Sequence, residues 1–250
     1  MSIDNLNPKS IRQAFLSSLP EHTDVSSSQA PQPKFVYVPE LHKKTLQPQN
    51  PLIQGIRGAG KSLWWAALQS ENHRRLIHRA LDIGVDETTL VRPGFGAELR
   101  PDNYPDPDTL VHLLQENDAR QIWRTVMYCS VVEDVAGSWL DRVRWVVTHP
   151  EEVALNLQRK DRELVSGHQV QLVLFDALDR TAHSWEDLRK LLRGLLQMLL
   201  EFRSFRAIRA KAFVRPDMLE DAEVARFPDA SKIITNAIDL LWTRLELFCW

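Results

Sequence analysis

The sequence predicts an α/β protein of three layers, with helices on both sides of a mostly parallel central sheet. Short apolar segments typical of buried strands occur at 52–53, 170–175 and 208–214. Between them lie long segments with helical periodicity, the longest of which runs from about 108 to 165. Parallel strands need crossover connections that are usually helical, so this alternation favours a parallel sheet.

The length of 250 residues and a hydrophobic content of 44% suit one large α/β domain with a short appendage. An amphipathic helix is predicted at 8–19, within an N-terminal helix and flexible linker covering 1–34. The main domain is expected at 35–242. We expect 243–250 to begin a helical lid that is truncated or missing, as in a fragment of a longer protein.

Charge and apolar content narrow the classes of partner. The net charge of −2 gives no general reason to expect binding to nucleic acid or to a membrane surface. No apolar run is long enough to span a bilayer, and the N-terminus lacks a signal-peptide core, which predicts a cytoplasmic protein. Cys129 and Cys249 lie far apart in apolar segments and are expected to be buried thiols.

The first elements of the main domain lead into a glycine-rich loop. The segment 35–38 predicts a short strand or an extended segment, closed by Pro39. Residues 51–62 read PLIQGIRGAGKS and contain the P-loop pattern GxxxxGK[ST]. Its glycines let the loop curl so that successive backbone N–H groups point at phosphate oxygens.

Each residue type in this loop has an expected task. Lys61 is expected to contact the β- and γ-phosphates, and Ser62 to bind Mg²⁺. The helix that follows presents its positive N-terminus to the anion. The predicted nucleotide-binding set is Gly55, Ile56, Arg57, Gly58, Ala59, Gly60, Lys61, Ser62 and Leu63.

After this loop the pattern is mainly helical. A helix is expected to end near Gly84, followed by a β-like run at 88–91 that Pro93 and Gly94 should terminate. Helices are then predicted at 108–114, 118–135, 139–147 and 151–165.

A second functional segment begins at Val170. The apolar run 170–175 predicts a central strand that carries Asp176 to its C-terminal end, where α/β sheets bind ligands. This is a Walker B pattern, in which Asp176 would hold Mg²⁺ together with Ser62. Asp179 follows, either to polarise an attacking water or to cap a local turn.

The last third predicts a helix, two strands and a further polar site residue. The sequence from Ser184 to Asp187 is a capping box for a helix to Arg203, whose apolar face includes Trp185. In the strand 208–214 apolar and other residues alternate, and a basic cluster around it is either a solvated face or a contact for a nucleic-acid backbone. That cluster comprises Arg203, Arg206, Arg209 and Lys211.

Arg215 directly follows this strand. It is either a sensor of the γ-phosphate or an exposed arginine at the start of a helix predicted at 217–227. A further strand is predicted at 238–242, followed by a helix beginning at Thr243.

These motifs, GIRGAGKS, LVLFDALDR and AFVRPD, together resemble the core of STAND-type NTPases and the related KAP and AAA+ ATPases. The resemblance implies an ATPase that uses ATP and Mg²⁺ to drive a conformational or assembly switch, through a homo-oligomer or a partner protein, as in bacterial signalling or phage defence. It implies catalytic roles for Lys61, Asp176, Asp179 and Arg215. Ala177 stands where AAA+ proteins have a catalytic glutamate, which predicts slow turnover.

Two other functions stay open from the sequence. One is a small-molecule kinase built on the same loop, although no compact arginine-rich lid follows the last strands. The other is a non-hydrolysing module whose interactions depend on bound nucleotide, which Ala177 favours. The sequence does not decide between ATP and GTP.

Overall fold

The computed structural model of the protein describes residues 30–132 and 135–242. Five parallel strands form one sheet in the order β2-β3-β4-β1-β5. Their bounds are β1 Leu52–Gln54, β2 Leu90–Phe95, β3 Gln171–Phe175, β4 Ile208–Val214 and β5 Ile238–Asp239. The predicted parallel sheet with flanking helices is confirmed.

Helices precede and connect the strands of the described ranges. They are α1 Lys43–Leu46, α2 Lys61–Gln69, α3 Glu71–Leu81, α4 Pro107–Leu113, α5 Ala119–Val132, α6 Trp139–Thr148, α7 Pro150–Ser166, α8 Trp185–Phe202, α9 Pro216–Leu219 and α10 Ala230–Ile234. The helices predicted between 108 and 165 are therefore confirmed. α4 and α7 each begin at a proline, whose missing N–H has no partner to lose in the first turn.

The alternation of side chains along β3 divides the core into two layers. Val173 and Phe175 pack with α5 and α8, whereas Leu172 and Leu174 pack with the apolar faces of α2 and α3. All four side chains are fully buried. A strand that is apolar on both faces is what a sheet covered on both sides requires.

The packing of α8 on α5 depends on Gly194. A Cβ atom at this position would lie 2.5 Å from both the carbonyl carbon and the Cβ atom of Ala119. The absence of a side chain therefore lets the two helix backbones approach closely under the sheet.

Two predictions in the first half of the chain need comment, and the second of them is wrong. Residues 35–38, predicted as a short strand or an extended segment, pair with no strand among the described residues; a 3-10 turn, Pro33–Phe35, is followed by Val36 in an extended conformation. β2 continues through Pro93 and Gly94 to Phe95. It is an edge strand, where a proline costs no inter-strand bond, and Gly94 leaves room for the Phe175 ring, 2.5 Å from a hypothetical Cβ.

Four later predictions also need correction. The helix predicted at 217–227 ends at Leu219, and β5 covers only two residues of 238–242. Trp185 was expected on the buried face of α8 but is 66% exposed. The basic cluster around β4 is a solvated face only in part: Arg203 and Arg206 are exposed, whereas Lys211 is fully buried.

Lys211 is held by a segment distant in sequence. Its ammonium donates hydrogen bonds to the carbonyl oxygens of Thr45, Gln47 and Asn50, at 2.7, 2.9 and 2.6 Å. The segment that enters β1 therefore covers this side of β4. Burial lowers the pKa of Lys211 to about 7.

Some predictions lie outside the described residues, namely the helix at 8–19, the lid at 243–250 and the environment of Cys249. Cys129 is largely buried, which raises the pKa of its thiol to about 11. In the part of the chain that is described, none of the helices has the length and apolar character needed to cross a bilayer.

Candidate phosphate-binding site

The loop between β1 and α2 has a backbone that requires glycine at several positions. Gly58 and Gly60 have φ angles of 85° and 93°, in the region that residues with a Cβ atom avoid. A Cβ atom on Gly55 would lie 3.2 Å from the Cβ atoms of both Ala59 and Leu240. The glycines therefore permit a curled loop that packs tightly against the end of β5.

The N-terminus of α2 differs from those of several other helices in having no side-chain cap. Asp106, Ser138 and Ser184 cap α4, α6 and α8, each by accepting a hydrogen bond from a backbone N–H in the first turn. At α2 the capping position is Gly60, which has no side chain to accept such a bond. The first N–H groups of this helix therefore stay available.

Four N–H groups in this short segment lack an acceptor among the described residues. Among the residues that the structure describes, no group accepts a hydrogen bond from the backbone N–H of Gly58, Gly60, Lys61 or Ser62. Unpaired N–H groups in a curled loop, at the positive end of a helix, form an anion-binding arrangement.

Lys61 lies over the same loop. Its ammonium donates hydrogen bonds to the carbonyl oxygens of Gly55 and Ile56, at 2.6 and 2.9 Å. Burial lowers the pKa of Lys61, and the nearby carboxylate of Asp176 opposes this shift. The lysine thus contributes positive charge next to the open N–H groups.

Ser62 and Asp176 meet across the gap between α2 and the end of β3. The Ser62 side chain lies close enough to the Asp176 carboxylate to favour the charged form of that carboxylate. Asp176 is 3% exposed, and its burial raises its pKa, against the effect of Ser62. A buried carboxylate beside a hydroxyl is an oxygen donor pair of the kind that Mg²⁺ prefers.

Mg²⁺ commonly takes only one or two protein oxygens and completes its shell with water and phosphate. Within 30–132 and 135–242, no three His, Cys, Asp or Glu side chains converge on a common metal position. Ser62 and Asp176 therefore fit a magnesium ion that arrives with a phosphate ligand, and they do not by themselves enclose an ion.

Strand order brings Arg215 to the same edge of the sheet. β4 lies between β1 and β3, so Arg215, the residue that follows β4, is next to both the loop and Asp176. The Arg215 guanidinium pairs with both carboxylate oxygens of Asp217, at 3.0 and 2.7 Å, and lies 3.6 Å from the Asp179 carboxylate. Hydrogen bonding to Asp217 is the main cause of a raised pKa for Arg215.

The structure thus groups the predicted catalytic residues Lys61, Asp176, Asp179 and Arg215. Asp176, Arg215, Asp179 and Asp217 all contribute to the electrostatic environment of the Lys61 ammonium. The rest of the predicted nucleotide-binding set comprises the exposed Ile56, Arg57 and Gly58, the buried Gly55 and Ala59, and the partly buried Gly60, Ser62 and Leu63.

Three residues near the loop were not predicted as site residues. Asp217 holds Arg215, as described above. Trp242 donates a hydrogen bond from its indole nitrogen to the Ala59 carbonyl oxygen at 2.9 Å, and its ring contacts the buried His42 ring, with centroids 4.8 Å apart. No sequence motif marks the two aromatic residues; only the resemblance segment RPD places Asp217 near Arg215.

Comparison with models of protein families, with curated proteins and with solved structures finds no match for this chain. The argument for function therefore rests on the loop, on the side chains around it and on their geometry.

Proposed function

We propose that this protein binds Mg-ATP at the loop between β1 and α2 and hydrolyses it slowly to drive a conformational or assembly switch in the cytoplasm. The observation that carries the proposal is the set of four unpaired N–H groups at 58–62, next to the Lys61 ammonium. Such groups are costly to leave without an acceptor, and phosphate oxygens satisfy them.

Each side chain has a task in this proposal. Lys61 leaves the loop carbonyls and donates to the β- and γ-phosphates, while the loop amides hold their remaining oxygens. Ser62 and Asp176 orient the magnesium ion, which neutralises charge on the phosphates when it is bound. Phosphoryl transfer depends mostly on positioning and charge neutralisation, and these residues supply both.

Slow turnover follows from the groups around the γ-phosphate. Ala177 has no carboxylate to activate water, so this task falls to Asp179. In the structure the Asp179 carboxylate is 3.6 Å from the Arg215 guanidinium, so it is engaged in an ion pair rather than directed at a water molecule. Hydrolysis therefore requires Arg215 to turn towards the γ-phosphate and release Asp179.

The pairing of Asp179 with Arg215 also favours a second function. If Arg215 keeps this contact with nucleotide bound, the protein is a nucleotide-dependent interaction module without hydrolysis. Its partner would be a second copy of the chain or another protein, as the resemblance to STAND-type NTPases implies. Phosphate release distinguishes the two functions.

The test combines Mg-ATP binding by calorimetry with a phosphate-release assay. Lys61→Ala should weaken ATP binding at least tenfold, because it removes a charge-assisted hydrogen bond. Lys232→Ala, at an exposed position of α10, is the matched control and should change nothing. Asp176→Asn should reduce ATP affinity in magnesium to that measured in a chelator.

Each outcome has a defined meaning. Binding with slow phosphate release supports the ATPase, and binding without release supports the interaction module. Absence of binding at millimolar Mg-ATP, or equal binding by the wild type and Lys61→Ala, would contradict the proposal.

A further inference from the structure

Trp242 makes a direct contact with the backbone of the loop between β1 and α2. Its indole N–H donates a hydrogen bond of 2.9 Å to the carbonyl oxygen of Ala59. Its six-membered ring lies 3.9 Å from the place where a Cβ atom of Gly60 would be. Trp242, three residues after the end of β5, therefore packs on the peptide unit between Ala59 and Gly60, just before α2.

The carbonyl that Trp242 binds belongs to the same peptide plane as the N–H of Gly60. A trans peptide is planar, so its C=O and N–H bonds point in opposite directions. With the Ala59 oxygen held towards the indole, the Gly60 N–H points away from it. This N–H is one of the four groups that lack an acceptor among the described residues.

The local chain does little to fix this peptide plane by itself. Rotating the plane by half a turn changes ψ of Ala59 and φ of Gly60, which is 93° in the structure. Glycine adopts positive and negative φ with similar ease. An outside contact is therefore needed to keep the Gly60 N–H in one orientation.

Trp242 is itself held in place by buried aromatic residues. The rings of His42 and Trp242 meet edge to face, at 83°, and His42 Nε2 bonds the Leu241 carbonyl oxygen at 2.8 Å. His42 Nδ1 accepts a hydrogen bond of 3.1 Å from the indole N–H of Trp64 in α2. These contacts connect the segment before β1, helix α2 and the residues that follow β5.

We propose that Trp242 is a positioning residue for phosphate binding: its hydrogen bond to Ala59 aims the Gly60 N–H at the bound phosphate. The inference rests on the proposed function, because the phosphate is the ligand that this N–H would meet. It also means that movement of the chain beyond β5 would change the affinity of the loop for phosphate.

The test uses Trp242→Phe, which keeps an aromatic ring against His42 and removes the indole N–H. The matched control is Trp139→Phe, which removes an indole N–H bonded to another backbone carbonyl, that of Pro101 at 2.7 Å. The first readout is the amide resonance of Gly60 in the protein without nucleotide. We expect it to broaden or double in Trp242→Phe and to stay as in the wild type in Trp139→Phe.

The second readout is the affinity for inorganic tripolyphosphate with Mg²⁺, a probe that has no base or sugar. Trp242→Phe should weaken its binding about five- to tenfold, the effect of one misdirected hydrogen bond. Trp139→Phe should leave the affinity unchanged.

The outcomes separate this inference from the proposed function. An unchanged Gly60 resonance in Trp242→Phe overturns the inference whatever the ligand data show. An unchanged tripolyphosphate affinity with weaker ATP binding also overturns it, because Trp242 would then act on the nucleoside. If the wild-type protein binds neither ATP nor tripolyphosphate, the proposed function fails. The inferred role of Trp242 in phosphate binding then fails with it, even if the Gly60 resonance still reports a backbone contact.

Discussion

The two ends of the central sheet differ in whether a carboxylate of the protein accepts hydrogen bonds from the backbone N–H groups. At the amino end of β4, the Asp161 carboxylate of α7 accepts hydrogen bonds from Arg206, Ala207 and Ile208, at 2.7 to 3.1 Å. At the carboxyl end of β1, no carboxylate of the described residues accepts a hydrogen bond from the N–H groups of Gly58, Gly60, Lys61 or Ser62. The chain thus supplies an anion of its own at the first end, and the described residues supply none at the second.

This comparison separates structural from functional polar groups. An internal carboxylate makes the Asp161 region part of the stable fold, since Ala207 and Ile208 are buried and need an acceptor. The loop between β1 and α2 has backbone N–H groups without an acceptor among the described residues, and it also contains glycines with positive φ. Such unsatisfied groups are expected where a ligand completes the structure.

The largest predicted effect comes from removing the internal anion. Asp161→Ala leaves two buried N–H groups without an acceptor, which should lower the free energy of unfolding by roughly 2–3 kcal/mol. Urea denaturation measures this change. The matched control is Glu163→Ala on the same helix, whose ion pairs are exposed and 4.0 Å long, and which should cost less than about 0.5 kcal/mol.

The same variants also test the separation of the two regions. Asp161→Ala should bind Mg-ATP as the wild type does, at a temperature where both are folded. A loss of ATP affinity without unfolding would show that the two ends of the sheet are coupled, and the comparison would not hold.

A second prediction concerns Lys211, which lies in the central strand β4. Lys211 has a pKa lowered to about 7 in the folded protein, against 10.5 for an exposed lysine. Between these values the unfolded chain holds a proton that the folded protein lacks. Unfolding then takes up a proton, so the free energy of unfolding should rise with pH, by ~1 kcal/mol per pH unit.

Urea denaturation at pH 7.5 and 9.5 measures this slope, and below about pH 7 the slope due to Lys211 should vanish, because the lysine is then protonated in both states. Burial raises the pKa values of Cys129 and Tyr104, which gives the opposite slope at higher pH. The comparison is therefore made with Lys211→Met, in which the rise should disappear. An equal slope in both proteins would contradict the prediction.

The smallest predicted effect concerns backbone strain beside the site. Ala177 follows Asp176 with φ of 54°, a left-handed conformation that disfavours a residue with a Cβ atom. Ala177→Gly removes this strain but adds chain entropy to the unfolded state, so the net gain in stability should be about 0.5–1 kcal/mol. The control is Ala182→Gly, at a position without positive φ, which should not stabilise the protein. A loss of stability in Ala177→Gly would contradict the prediction.

The sequence predicts those parts of the molecule that depend on local patterns. β3 and the helices between 107 and 166 follow from apolar periodicity and from capping residues. Lys61, Ser62 and Asp176 were predicted as a group because spacing and strand position identify them before any contact is known. Their proposed roles stay predictions.

The remainder depends on contacts between distant parts of the chain. The alternating sequence pattern alone predicts that Lys211 is exposed. Its burial depends on carbonyl groups more than 160 residues away in the sequence. Trp242 reaches Ala59 across 183 residues. β2 continues through Pro93 because it is at the sheet edge, which only the strand order reveals.

The most direct test follows the two sets of N–H groups in one experiment. A titration of labelled protein with Mg-ATP should shift the amide resonances of Gly58, Gly60, Lys61 and Ser62 strongly. It should leave the amide resonances of Arg206, Ala207 and Ile208 unchanged, because the Asp161 carboxylate already accepts hydrogen bonds from these N–H groups. Unchanged loop resonances at millimolar Mg-ATP would contradict the claim that this loop is built to receive a phosphate.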